Sequence, residues 1–385
     1  MNILFDYQAF EFQKIGGVSR LYAEIIPRLK TMGVNASVGL KESDNVYIGQ
    51  LEINVKPLYA AHNKYFEGRK YFKGQRTLTR IVARALGHCD DLRNINQENC
   101  IHLLKSQHFD IFEPTFFSPY FLPHLKRKPF AMEVHDMIPE LFPQYFSRDD
   151  FQIINKKRLC PLAFAIHTPS MKTKEDLVNI LNIPPEQITV IGRGVPSIPI
   201  PETAPPRPID APYLLFVGER GGYKNFDLLL LEFEIIVQSI PEMNLLCTGH
   251  PFNDDEQRLL ANLKLTKIVH HIYADDDNFY SLYHNSFAFI YPSAYEGFGL
   301  PILEAFICGC PVMLNNTSCF PEVGGDAAIY FDINRRGDLA EHFIALYHAS
   351  SGKRDELIAK GKARLSLFSW EETARKLKQV YDSIR

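Results

Sequence analysis

Residues 291–304 read YPSAYEGFGLPILE, and two glutamates in this stretch, Glu296 and Glu304, stand with seven residues between them. The preceding FAFI, Phe287 to Ile290, has the length and composition of a short, fully buried strand. The following LPILEAFICG carries apolar residues at helical spacing. Between them EGFG is a glycine-bearing turn, where backbone can approach a ligand closely. Pro301 falls where the first turn of a helix tolerates proline. The stretch therefore predicts strand, tight turn and helix N-terminus, and the free N–H groups of such a helix start favour phosphate. Glu296 and Glu304 then face one crevice, as acceptors for the neutral hydroxyls of a sugar ring or a ribose. Taken singly, each glutamate reads as an ordinary turn or surface-helix residue. Taken together with the glycines and the proline, they suit a nucleotide sugar.

The 385 residues are long enough for two domains. With 46% apolar and 23% charged residues, the composition is that of an ordinary globular protein. A net charge of -3 exerts no overall pull on nucleic acid or anionic membrane. Seven cysteines, an odd number scattered through apolar segments, predict reduced thiols and a cytoplasmic setting. Cys308 and Cys310 lack a second pair at zinc spacing and read as packing. Asp6 interrupts the first apolar run, so no signal peptide is expected at the start. No apolar run reaches the roughly 20 residues of a membrane span, so any membrane contact is expected to be peripheral, at the inner membrane face.

In the N-terminal half, Asn2 to Phe5 predicts a first strand and Val18 to about Met32 a helix, joined across Gly16 and Gly17. The glycine pair is either a plain turn or a place where backbone meets a phosphate. Residues 61–84 carry Lys64, Arg69, Lys70, Lys73, Arg76, Arg80 and Arg84 against one acid, Glu67, interleaved with Tyr65, Phe66, Tyr71 and Phe72. They are either a peripheral patch for anionic lipid or a lipid-linked diphosphate acceptor, or a solvated excursion. Nucleic acid is the poorer fit, because the patch is short and the rest of the chain is acidic. The aromatic loop FEPTFFSPYF either stacks on an acceptor sugar or fills core. Ala131 to Val134 has strand character and delivers His135 and Asp136 at its carboxyl end, where ligands bind in open α/β sheets. His135 is either a structural histidine held by Asp136 or a group that donates to a hydroxyl or polarises one.

Pro196 to Pro212 holds seven prolines and reads as an extended linker. Tyr213 to Val217 is an apolar strand running into GERGGYKN, and helix is expected from Phe226. Arg220 and Lys224 in this loop are either solvated surface cations or the pair that neutralises a diphosphate, with Arg offering bidentate geometry and Lys a point charge. Asp275, Asp276 and Asp277 read as acids opening a helix in preference to a Mg²⁺ site. Ser369 opens the last helix, which Trp370 pins.

The E-x7-E arrangement with GFGLP inside it, VHD, ITVIGRGVP, VGERGGYKN and PEVGGDA together resemble the retaining GT-B glycosyltransferases of family GT4 over nearly the whole chain. HDMIPELFP and VGERGGYKN are most similar to bacterial mannosyltransferases of surface polysaccharide synthesis, including lipopolysaccharide. The resemblance implies an α/β fold of two doubly wound Rossmann-like domains facing an interdomain cleft. Residues 1–195 would form the acceptor-side domain, 196–212 the linker and 213–369 the nucleotide-sugar domain, with helix 370–385 crossing back. It implies His135 and Glu296 as catalytic residues. Gly17, Arg220, Lys224, Glu296, Gly297, Phe298, Gly299, Leu300 and Glu304 would bind the donor, with Glu296 on the transferred sugar and Glu304 on the ribose. The strand end at VHHI would meet the base, and Pro321, Glu322, Gly324 and Gly325 would shape the far wall of its pocket. Arg220 and Lys224 stand one residue closer together than the family's usual Arg-x4-Lys, and Arg193 replaces a smaller polar residue. The implied donor is GDP-mannose or a UDP-sugar, the acceptor a hydroxyl of a glycan or lipid-linked molecule, with no metal or other cofactor. Alternatives sharing the crevice are a sugar-nucleotide epimerase and a non-catalytic nucleotide-sugar binder. A dinucleotide oxidoreductase lacks its G-x-G-x-x-G after the first strand. A glycosidase would leave Arg220 and Lys224 without a role.

Overall fold

Short apolar runs become parallel strands buried on both faces in a computed structural model, which describes residues 1–57, 94–203, 205–275 and 278–384. The basic stretch 61–84, Cys89, Asp276 and Asp277 lie outside the described residues.

The N-terminal half contributes β1 (Asn2–Phe5), β2 (Asn35–Val38), β3 (Ile111–Glu113), β4 (Ala131–Glu133), β5 (Ala165–Thr168) and β6 (Ile188–Val190). They form two parallel three-stranded sheets, β2-β1-β3 and β4-β5-β6, linked by a parallel bridge between Phe112 and Phe130. The C-terminal half contributes β7 (Tyr213–Phe216), β8 (Asn244–Cys247), β9 (Val269–His271), β10 (Ala288–Tyr291), β11 (Val312–Asn315) and β12 (Ala328–Phe331). Its six strands lie in the order β12-β11-β10-β7-β8-β9, all parallel. Read from the other edge, this is the doubly wound order in which the winding reverses between β7 and β10. Ligands of such sheets bind outside the carboxyl ends of the two strands at the reversal. The loops that leave β7 and β10 carry Lys224 and Glu296.

Strand periodicity places alternate side chains on opposite faces. Leu214, Phe216, Ala288 and Ile290 enter one apolar cluster, while Tyr213, Leu215, Phe289 and Tyr291 enter the other. Covered on both faces, the strands have no polar side to alternate, which is why they read as unbroken apolar runs. Residues 191–212 hold no helix or strand among those described. The last helix, Trp370–Ser383, opens on Ser369, whose hydroxyl accepts from the Glu372 N–H. It buries Trp370, Ala374, Leu377, Val380 and Tyr381 in the N-terminal core and packs on the helix Gly17–Thr31. The Trp370 indole donates to the Val195 carbonyl at 3.0 Å and lies on Gly194, where a methyl would come within 2.2 Å of the ring.

Candidate active site

A cavity of about 950 Å³ is lined from both the N-terminal and the C-terminal half. Its C-terminal wall is the turn after β10 and the helix Leu300–Ile307: Glu296, Gly297, Phe298, Gly299, Leu300 and Glu304 all line it. Gly299 has a φ of 87°, a left-handed conformation that strains any residue with a Cβ, and it turns the chain into that helix. Pro301 follows in the first turn. The N-terminal wall is Gly16, Gly17 and Arg20 at the start of the helix Gly17–Thr31, with His135 and Arg193 from the ends of β4 and β6. The sheets meet directly here. A methyl group on Gly297 would lie 2.0 Å from the main-chain oxygen of His135, so only glycine lets these backbones touch. Beside this contact, the Tyr295 hydroxyl donates to Asp176 at 2.7 Å and Phe142 stacks on Tyr223 at 5.5 Å.

Lys224 is the last residue of a short 3-10 turn, Gly222–Lys224, and its ammonium pairs with Glu296. Burial works against the charge on Lys224, but Glu296 and Tyr223 beside it outweigh that and raise its pKa above the ordinary lysine value. Glu304 accepts from the Tyr283 hydroxyl at 3.1 Å and lies 3.8 Å from Arg20 of the facing domain. Burial lifts its carboxyl above the ordinary range, and Arg20 and Tyr283 offset part of that. His135 Nδ1 lies 2.9 Å from Glu133 Oε1, while Nε2 is buried without a hydrogen-bond partner. Asp136, the partner weighed for His135 from sequence, instead accepts from the Ile138 N–H at 3.0 Å.

Arg220 is not among the residues that line the cavity. Its Nε donates to Glu256 at 2.9 Å, Nη1 to the Thr248 carbonyl at 2.7 Å, and Nη2 to the carbonyl of His250. Phe226 and Phe252 lie over the guanidinium at 5.5 and 4.8 Å. With these donors engaged inside its own domain, Arg220 clamps the ends of β7 and β8. Glu322 does not line the cavity either, and its carboxylate accepts from the Met171 N–H at 3.0 Å, at the start of the helix Met171–Leu181. Pro321, Gly324 and Gly325 stand away from the cavity with it. The VHHI strand end turns its last imidazole aside, His271 lying 2.8 Å from the Gly249 carbonyl, while Ala274 and Asp275 further on reach the cavity. Asp275 and Asn278 bond each other's N–H before the helix Phe279–His284. Of the aromatic loop, Phe117 and Phe121 fill core, whereas Phe116 stacks beside His135 at 6.1 Å and on the half-exposed Phe12 at 4.3 Å. The six described cysteines are free and buried, and among the described residues no three potential ligands gather as a metal site. No described helix is long and apolar enough to cross a membrane.

Two doubly wound α/β domains that meet at a shared cavity, with the helix N-termini Gly17 and Leu300 on opposite walls, define the GT-B architecture. Residues 15–197 match the family described as Glycosyltransferase Family 4, and residues 202–364 match Glycosyl transferases group 1. The chain belongs to the GT4 family and is a glycosyltransferase. It is 28% identical to O-antigen chain mannosyltransferase B of Escherichia coli over 276 residues, 68% of this chain and 72% of that one. It is 25% identical to O-antigen chain mannosyltransferase RfbU of Salmonella typhimurium over 201 residues, 52% of this chain and 56% of that one. A glycosyltransferase of Rickettsia africae superposes with a TM-score of 0.66 at 19% identity, covering 100% of this chain and 98% of that one. Anabaena Alr3699/HepE in complex with UDP-glucose superposes with a TM-score of 0.68 at 15% identity, covering 100% and 99%.

Proposed function

We propose that this glycosyltransferase moves a hexose, mannose by preference, from a nucleotide sugar to a hydroxyl of a glycan or lipid-linked acceptor, with retention at the anomeric carbon. The observation that carries the reading is the pairing of Lys224, from the loop after β7, with Glu296, which lines a cavity that His135 enters from the other domain. The bond that breaks joins the anomeric carbon to the diphosphate, which leaves with the electron pair. The acceptor oxygen takes its place on the same face, and its proton passes to the departing phosphate oxygen. Charge therefore develops on the leaving phosphate, and a fixed ammonium beside it stabilises the transition state. Lys224 supplies that ammonium by exchanging Glu296 for the diphosphate, and the N–H groups of the helix Leu300–Ile307 add to it. Glu296, once released, accepts from the hydroxyls of the hexose. Glu304, held from behind by the Tyr283 hydroxyl, receives the ribose, and His135 meets the sugar or the acceptor. The mannosyltransferase relatives support mannose, and hence GDP-mannose as the donor, with UDP-glucose as the main rival. The reaction needs no metal, and the enzyme works in the cytoplasm.

A thermal-shift panel of GDP, GDP-mannose, UDP and UDP-glucose tests the donor. A ligand at 100 times its Kd stabilises the fold by roughly 2.7 kcal/mol. Release of nucleoside diphosphate in the presence of acceptor glycan tests the reaction, and Lys224→Ala is expected to lower kcat by about 100-fold or more with the fold intact. Full turnover in that variant removes the mechanism. Donor incubated alone that yields an isomer would place the chain among epimerases.

A further inference from the structure

Beneath the N-terminal wall of the cavity lies a line of ionisable side chains that sheet register has assembled. Glu113 ends β3, Glu133 ends β4, His167 sits in β5 and Arg193 follows β6. Parallel pairing sets Glu133 directly beside His167. Glu113 and His167 are 0% exposed and Glu133 is 2% exposed. His167 Nε2 lies 2.7 Å from Glu113 Oε1, and its Nδ1 lies 3.2 Å from Glu133 Oε2, off the hydrogen-bond axis. The directional partners of Glu133 converge on its other oxygen: Arg193 Nη2 and His135 Nδ1, the latter at 2.9 Å.

A carboxylate this deep survives as an ion only where cations hold it. Arg193 never releases its proton and bonds Glu133 directly, so it fixes Glu133 as a charged acceptor. An acceptor at Nδ1 requires the proton of a neutral imidazole to sit on Nδ1, which leaves the lone pair on Nε2. Nε2 is also the one atom of this ring without a protein partner.

We propose that Glu133, locked by Arg193, is a positioning residue that holds His135 in the Nδ1–H tautomer, so that Nε2 accepts a hydrogen bond from a substrate hydroxyl. The role of His135 in the reaction rests on the function proposed above; its tautomer does not. The substitution Glu133→Gln keeps the shape and removes the charge that orders the protons.

Two measurements on the full chain test it. In long-range ¹H–¹⁵N spectra of the histidine rings, the signals that vanish in His135→Ala are expected to show the Nδ1–H pattern in the wild type and to lose it in Glu133→Gln. If Glu133→Gln does not fold, the double variant Glu133→Gln/Arg193→Met removes both charges and is read in the same way. In a double-mutant cycle on nucleoside diphosphate release, Glu133→Gln is expected to lower kcat at least about tenfold with donor KM held, and to add no further loss in a His135→Ala background. An Nε2–H tautomer in the wild type, a tautomer that ignores Glu133, or a loss that persists undiminished without His135 overturns the inference. A wild-type chain that turns over neither GDP-mannose nor UDP-glucose, yet shows the tautomer and its dependence on Glu133, supports the positioning and overturns only the proposed reaction.

Discussion

At Gly297 the backbones of the two domains touch, and the substitution Gly297→Ala isolates that contact. A methyl there would meet the His135 carbonyl oxygen at 2.0 Å, whereas ordinary van der Waals contact begins near 3.4 Å. Both partners are main chain, so no side chain can swing aside. The turn and the end of β4 must part by about 1.4 Å, from 2.0 to 3.4 Å. A misplacement of about 1 Å costs on the order of 100-fold in rate where reacting groups are held from two sides. The expected kcat is therefore about 100-fold lower or worse. Lys224, Glu296 and Glu304 all belong to the C-terminal domain, so stabilisation by nucleoside diphosphate is expected to survive. Melting temperature and nucleotide shift measured beside donor turnover separate these effects. Gly49→Ala, whose methyl would meet nothing within 4 Å, is the control. A Gly297→Ala enzyme with kcat within threefold of wild type would refute the reasoning, because the contact would then be incidental to the working state.

Arg220→Met leaves Glu256 buried without its cation, which costs about 3–5 kcal/mol. Urea unfolding is expected to show that loss while the folded fraction keeps its kcat, and a turnover defect beyond the folded fraction would return Arg220 to the site. Trp370→Ala empties the core beside Gly194, at a cost of about 3–5 kcal/mol. Its expected signature is a lower urea midpoint, and an unchanged midpoint would mean that the terminal helix is not bound as described. His167 is buried between two carboxylates; burial opposes its charge, but Glu113 and Glu133 outweigh it and raise its pKa from 6.5 to about 9. The unfolded chain releases this proton first as pH rises, so the stabilisation is complete below about pH 6.5 and is lost towards pH 9. Melting temperature against pH is expected to fall across that window, and His167→Gln to flatten the slope.

The features that read most plainly in the sequence are those fixed by local rules. Parallel strands covered on both faces read as nearly unbroken apolar runs, so YLLF and AFIY declare themselves without any partner in view. EGFGLP declares a turn and a helix start because glycine and proline restrict backbone wherever they stand. The partner of Arg220 is not legible because it lies 36 residues away: a loop cation looks free until Glu256 is placed under it. The sign of Glu256 was present in the capping box Asn253–Glu256, which sets that carboxylate at the first turn of the helix Asp254–Asn262. Arg20 escaped notice as one more polar residue on a helix, and only the facing domain gives it Glu304. The cluster beneath His135 had a clearer signal. Glu113, Glu133 and His167 interrupt runs whose neighbours are apolar, and an ionisable group in a buried strand requires partners.

The charges around the cavity are paired before any donor arrives: Lys224 with Glu296, and Glu133 with Arg193, while Arg20 lies 3.8 Å from Glu304. A neutral hexose has nothing to offer Lys224 in exchange for Glu296, and breaking that pair would leave two half-buried charges unmatched. On the proposed reading, a diphosphate would replace the carboxylate at Lys224 with a stronger anion and at the same time free Glu296 to accept from the sugar, so that each half of the donor would make the site for the other half. Discrimination follows from that exchange: free mannose is expected to leave the melting temperature unmoved at concentrations where the nucleoside diphosphate raises it, and the intact nucleotide sugar to raise it further than either part alone. Equal shifts from free mannose and from the intact nucleotide sugar would show that Lys224 and Glu296 are not exchanged on binding.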